Sequence, residues 1–251
     1  MTGSTQKKDA EAAFWDKVAR ERIYAAFDKE EYENYIDALG DDLTGKTIVD
    51  IGSASGVSAA LFAARGATVY GIDISPELIA QAKTLWPEYK DRLHFQVGDA
   101  ENLDMKGASV DGCFFGGVLH HFPERERVYA EAARILKPGG RFIAVEPNRL
   151  NFLELIEWGI ADLRGKLSPN EYPIDPLAMK AEMQEHGFSP VRFWTVRFDI
   201  PFLAQLPLIR LGFSRQKGFW FKRPLLRLID AFRAPERRGT FFVIDGVKSD
   251  G

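Results

Sequence analysis

Apolar positions along this chain change their spacing from segment to segment, and the changes predict the elements. Trp15, Val18, Ala19, Ile23, Ala26 and Phe27 fall at helical spacing and predict a helical cap over 11–38. Residues 1–10 carry no such stripe and are expected to be disordered. From Thr47 onward, short apolar runs alternate with helical stretches. The runs predict strands over 47–51, 67–72, 93–97, 110–116 and 140–146, and the stretches predict helices over 57–65, 76–85 and 124–136. Ser75 before Pro76 reads as a helix start, and Lys137-Pro138-Gly139-Gly140 as a helix stop and turn. After 146 the pattern loosens. A stretch rich in proline and aromatics, 147–175, leads to a helix at about 176–186 and strands at about 190–198 and 239–247. Five strands alternating with helices predict an α/β fold, a doubly wound and mostly parallel sheet.

Length and composition fit one domain, 1–251, with insertions. The single cysteine, Cys113, sits in an apolar strand pattern and reads as a buried thiol. One cysteine excludes an internal disulfide and any cysteine-held metal or iron–sulfur cluster. No apolar run is long enough to span a bilayer, and no apolar segment follows the N-terminus as in a signal peptide, so the cytoplasm is expected. The net charge of −3 hides an asymmetry: between Arg192 and Arg238 stand eleven Lys or Arg against three acids.

Chemistry-bearing residues gather at the carboxyl ends of the predicted strands, where open α/β sheets bind ligands. The first is the turn Gly52-Ser53-Ala54-Ser55-Gly56, which brings backbone amides and a helix start near a ligand. Asp73 ends the second strand, about 20 residues past the first glycine, where a carboxylate can accept from ribose hydroxyls. Gly98-Asp99-Ala100 follows the third strand, and Gly116-Gly117-Val118-Leu119-His120-His121-Phe122 the fourth. Taken singly, each is as easily a tight turn or a helix cap; in order they specify a nucleotide-type ligand.

In this order the strings VDIGSASG, GIDIS, GDAENL, FFGGVLHHF and ILKPGGRFIAVEP, between Ile48 and Pro147, resemble the class I S-adenosylmethionine-dependent methyltransferases. The resemblance implies a seven-stranded, three-layer α/β/α fold whose last strand, near Thr240 to Val247, is antiparallel. It implies S-adenosylmethionine as cofactor. Gly52, Ser53, Ala54, Gly56 and Gly116 would lie near the methionine part, Asp73 at the ribose, Ile74 on adenine, and Asp99 and Ala100 at the adenine amine. The family turn is often G-x-G-x-G; here Ala54 stands at the middle position. The N-terminal helix of such enzymes covers the cofactor, which makes Phe14, Trp15, Arg20, Arg22 and Tyr24 candidates, an arginine suiting the methionine carboxylate.

The implied reaction moves a methyl group to a small or lipophilic acceptor, at oxygen first, then nitrogen or carbon. A hydroxyl acceptor needs a base, and one of His120 and His121 is the candidate, against a packing role for both. His94 and His186 read as structural. No metal is expected, because no set of ligating acids stands near the methyl end. A nucleotide-dependent oxidoreductase and a catalytically inactive methyltransferase-like binding protein are the alternatives; the dinucleotide fingerprint G-x-G-x-x-G is not met.

Substrate choice is assigned to lid insertions at 147–186 and 198–238. The basic, aromatic 192–238 block reads either as a lid over an apolar substrate or as a peripheral contact with the inner membrane surface. Nucleic acid is not an expected partner, and oligomeric state stays open.

Overall fold

Strands β1 (Thr47–Ile51), β2 (Thr68–Asp73), β3 (Leu93–Val97), β4 (Val110–Gly116), β5 (Leu136–Pro147), β6 (Phe188–Val196) and β7 (Phe241–Lys248) join in one sheet. Their order is β3-β2-β1-β4-β5-β7-β6. The computed structural model describes residues 2–25, 29–36, 39–168, 170–196 and 234–250. β1 pairs in parallel with β2 and with β4, whereas β7 runs antiparallel to both β5 and β6. The expected mostly parallel sheet and antiparallel last strand are therefore present. Strand order reverses between β1 and β4, which makes their carboxyl ends the switch point where a ligand fits.

Helices α1 (Thr2–Glu21), α2 (Lys29–Ile36), α3 (Val57–Ala64), α4 (Pro76–Leu85), α5 (Glu126–Ile135), α6 (Phe152–Leu163) and α7 (Pro176–Glu185) flank the sheet. Strand alternation sends Phe114 and Phe115 to opposite faces. Phe115 stacks on Phe142 at 4.5 Å in the cluster containing Val128, Tyr129 and Met183 from α5 and α7. Phe114 meets Phe62 at 5.2 Å in the cluster containing Tyr35 and Ile36 from α2. Each fully buried ring contributes roughly 1.5–3 kcal/mol, so these two layers hold the sheet. Cys113 is buried in the first of them, as its strand pattern predicts.

Three departures from the sequence reading stand out. Residues 2–10, expected to be disordered, are helical: α1 begins at Thr2, and Lys8 ties it to the sheet by pairing with Asp99 and Glu101. The cap is two helices, interrupted between Glu21 and Lys29. The 147–175 stretch contains α6, capped by Asn151, whose side chain accepts from the Leu153 amide at 3.0 Å. Phe152, Leu155, Ile156 and Leu163 stand at helical spacing, a signal present in the sequence, and α6 carries them exposed. Residues 197–233, which hold most of the 198–238 insertion and of the basic block, lie outside the described residues.

Candidate active site

A cavity of about 370 Å³ opens at the carboxyl ends of β1 to β4. Gly52, Ala54, Asp73, Ile74, Asp99, Ala100, Gly116 and His121 line it. The residues named from the strand ends are thus gathered around one space. Ser53, Gly56 and His120, also named from the sequence, are not among the lining residues. Trp15, Tyr24, Val118 and Phe122 give the cavity an apolar wall.

The glycine turn is shaped by close approach. Gly52 has φ +71°, and a Cβ there would lie 2.6 Å from Val118 Cγ2. Gly56 has φ +81°, and a Cβ there would lie 2.6 Å from Phe95 Cζ. Its glycine requirement is therefore for packing rather than ligand contact. Ala54 also takes a left-handed conformation, φ 46°, although it carries a methyl group. Its amide donates to Asp73 Oδ2 at 2.9 Å, while the Ser75 amide donates to Asp73 Oδ1 at 2.9 Å. Asp73 thereby ties the first turn to the end of β2. Burial pushes its carboxyl up to about 6, against those backbone hydrogen bonds. Beneath the turn, burial pushes Asp50 up to about 7, although Ser58 Oγ donates to it at 2.6 Å. Asp50 Oδ1, Ser53 Oγ and Ser55 Oγ are buried without a protein partner.

The two histidines part ways. Glu146, at the end of β5 and fully buried, accepts from the amides of Val118, Leu119 and His120 at 3.1, 2.8 and 3.2 Å. It also lies 2.7 Å from His120 Nδ1, and Glu171 lies 3.6 Å from His120 Nε2. Burial pulls the His120 imidazole down, but the two carboxylates outweigh it and push the value up to about 9. His120 is a cation held between two acids. In His121, burial and the neighbouring His120 cation hold the imidazole below its ordinary value, against the pull of Glu11 and Glu171. The histidine that faces the cavity is therefore neutral at pH 7. Two like groups whose surroundings drive their proton affinities apart are the signature of divided acid–base roles.

Donor atoms of His120, His121 and Glu171 lie within 4.8 Å of one another, a spacing a metal ion could use. His120 Nδ1 is turned to Glu146 at 2.7 Å, which leaves Nε2 as its nitrogen towards that group.

The N-terminal cap reaches the cavity with two of the five residues that the sequence suggested. Trp15 and Tyr24 line it, joined by Lys7, Lys8 and Glu11. Arg20 instead meets the exposed Glu77 at 3.4 Å, and Arg22 lies over the Tyr24 ring at 5.3 Å. Phe14 packs edge-on to Trp15 at 5.2 Å. No arginine lines the cavity among the described residues. The missed residues had a signal: Lys8, Glu11, Trp15 and Ala19 share one face at spacings of three and four. Ser168 and Glu171 had none, since they reach the site from a segment between α6 and α7.

Residues 49–144 match the family model described as a methyltransferase domain. A demethylmenaquinone methyltransferase of Symbiobacterium thermophilum is 27% identical over 69% of this chain and 78% of that protein. A ubiquinone biosynthesis O-methyltransferase of Coxiella burnetii is 31% identical over 43% of this chain and 46% of that protein. Phosphoethanolamine N-methyltransferase 2 of Haemonchus contortus, solved with S-adenosyl-L-methionine, has the same fold: TM-score 0.64 and 19% identity over 88% of this chain and 53% of that one. The chain spans less than half the length of several curated relatives it matches.

Proposed function

We propose that this chain, which belongs to the class I S-adenosylmethionine-dependent methyltransferases, methylates a hydroxyl oxygen on a small, lipophilic aromatic acceptor. The observation that carries the reading is His121 on the wall of the same space as Asp73 and Asp99, where burial and the neighbouring His120 hold its proton affinity down. Gly52, Ala54 and Gly116 leave room for the methionine part, Asp73 offers oxygen to the ribose, and Ile74 and Ala100 flank the adenine.

When bound, S-adenosylmethionine supplies a methyl group already activated for displacement, the bonding pair staying on sulfur. The chain's own residues then align and deprotonate the acceptor. His121 takes the hydroxyl proton through Nε2 as the acceptor oxygen meets the methyl. His120, fixed by Glu146, holds the loop that carries His121 in place. Trp15, Tyr24, Val118 and Phe122 exclude water from the transfer. The apolar wall and the quinone-related names of the relatives support an aromatic, lipophilic acceptor.

Two measurements test this. Calorimetry should show binding of S-adenosylhomocysteine and none of NAD. Incubation of the protein and labelled cofactor with a lipid extract should label a phenolic or quinol compound. Label found only on amines would overturn the oxygen assignment.

A further inference from the structure

Outside the strand-end residues, the cavity wall holds one carboxylate with unusual surroundings. Glu11 is 8% exposed, sits midway along α1 and reaches the 118–122 loop. Its Oε1 accepts from Trp15 Nε1 at 2.9 Å and lies 3.0 Å from His121 Nδ1, while Oε2 is buried without a partner. Ser168 Oγ also lies 3.0 Å from His121 Nδ1. The Ser168 hydroxyl can donate or accept, whereas the Glu11 carboxylate only accepts, so a proton on Nδ1 is the arrangement that satisfies Glu11. The Trp15 ring stands edge-on to the imidazole at 5.6 Å and restricts its rotation.

We propose that Glu11 is the positioning residue for His121: from the cap helix it fixes the tautomer that leaves Nε2 free to take the acceptor's proton. This inference rests on the methyl-transfer reading above and adds where the base gets its orientation. A base oriented by a buried carboxylate is a general arrangement for proton transfer. Here the orienting group lies on a different element from the base, so base and cap are set together. After proton transfer the imidazolium faces the Glu11 carboxylate, which offsets the charge left on the ring. The groups that bear on His121 are Glu11 from α1, His120 beside it, and Glu171 from the segment before α7.

The test is heteronuclear NMR of protein with isotope-labelled imidazole nitrogens, tractable because the chain has four histidines. In the wild type, His121 should be neutral near pH 7 with its proton on Nδ1. In Glu11→Gln the Nε2-protonated tautomer should gain population, and the titration midpoint of His121 should move to lower pH. A wild-type proton on Nε2, or a Glu11→Gln spectrum identical to the wild type, overturns the proposal. Should Glu11→Gln fail to fold, Ser168→Ala decides: the Nδ1 proton should persist there, and its loss would assign the tautomer to Ser168 and overturn the proposal. Calorimetry with S-adenosylhomocysteine on the same sample separates the two readings. Lack of binding there would sink the methyl-transfer reading, whereas the tautomer tests Glu11.

Discussion

The imidazoles of His120 and His121 lie 4.2 Å apart between ring centroids, yet one is held charged and the other neutral. The Glu146 and Glu171 carboxylates hold the proton on the first, and that charge helps keep it off the second. His120 is raised from 6.5 to about 9, so its contribution to stability is complete below pH 6.5 and lost as pH rises through about 9. Urea unfolding followed from about pH 6 to pH 10 should show that decline. Glu146→Gln should flatten it and lower stability at neutral pH by about 3 kcal/mol, because a buried cation loses its main partner. An unchanged slope would falsify the assignment of charge to His120.

Asp73 joins two turns by accepting from Ala54 and Ser75. Its replacement removes the proposed ribose acceptor and loosens the glycine turn together. Asp73→Ala should weaken binding of S-adenosylhomocysteine at least about tenfold, corresponding to about 1.4 kcal/mol. Calorimetry reads this directly, and unchanged affinity would move the cofactor site elsewhere.

Ala54 holds a backbone conformation that favours glycine. Ala54→Gly should relieve the left-handed strain and lose part of the gain to the more flexible unfolded chain. The net expected stabilisation is about 0.5–1 kcal/mol, seen as a higher melting temperature. A lower melting temperature would mean that the methyl group packs better than its φ value suggests.

Asp50 is raised from 3.8 to about 7, so folding favours its protonated form. Stability should therefore fall as pH rises from 3.8 towards 7 and stay low above that. Asp50→Asn keeps an acceptor for Ser58 and removes the buried charge. It should stabilise the protein by on the order of 2 kcal/mol at about pH 8, and by less at about pH 5. Equal gains at both values would show that Asp50 is not ionised where this reading places the charge.

Legibility in the sequence followed locality. The strands β1, β3 and β4 and helix α4 have the bounds that the alternation and the Ser75-Pro76 start predict. The strand-end turns also line one cavity, because a parallel sheet brings those ends to the same edge. What the sequence hid is long-range. Glu11, Glu146 and Glu171 come from three distant segments, and only folding shows that they converge on the two histidines. Glu146 could be read as the last acid of a strand but not as the acceptor of three successive amides. The choice between His120 and His121 likewise depended on which carboxylates surround each ring.

Lys8 makes the cap helix a competitor as well as a cover. Its ammonium donates to Asp99 Oδ2 at 2.6 Å and also pairs with Glu101, so it occupies the carboxylate assigned to the adenine amine. An incoming nucleoside must exchange with a tethered cation. Moderate salt, which screens such a half-exposed pair, should then speed cofactor entry rather than slow it. Lys8→Ala should remove that salt response in stopped-flow binding.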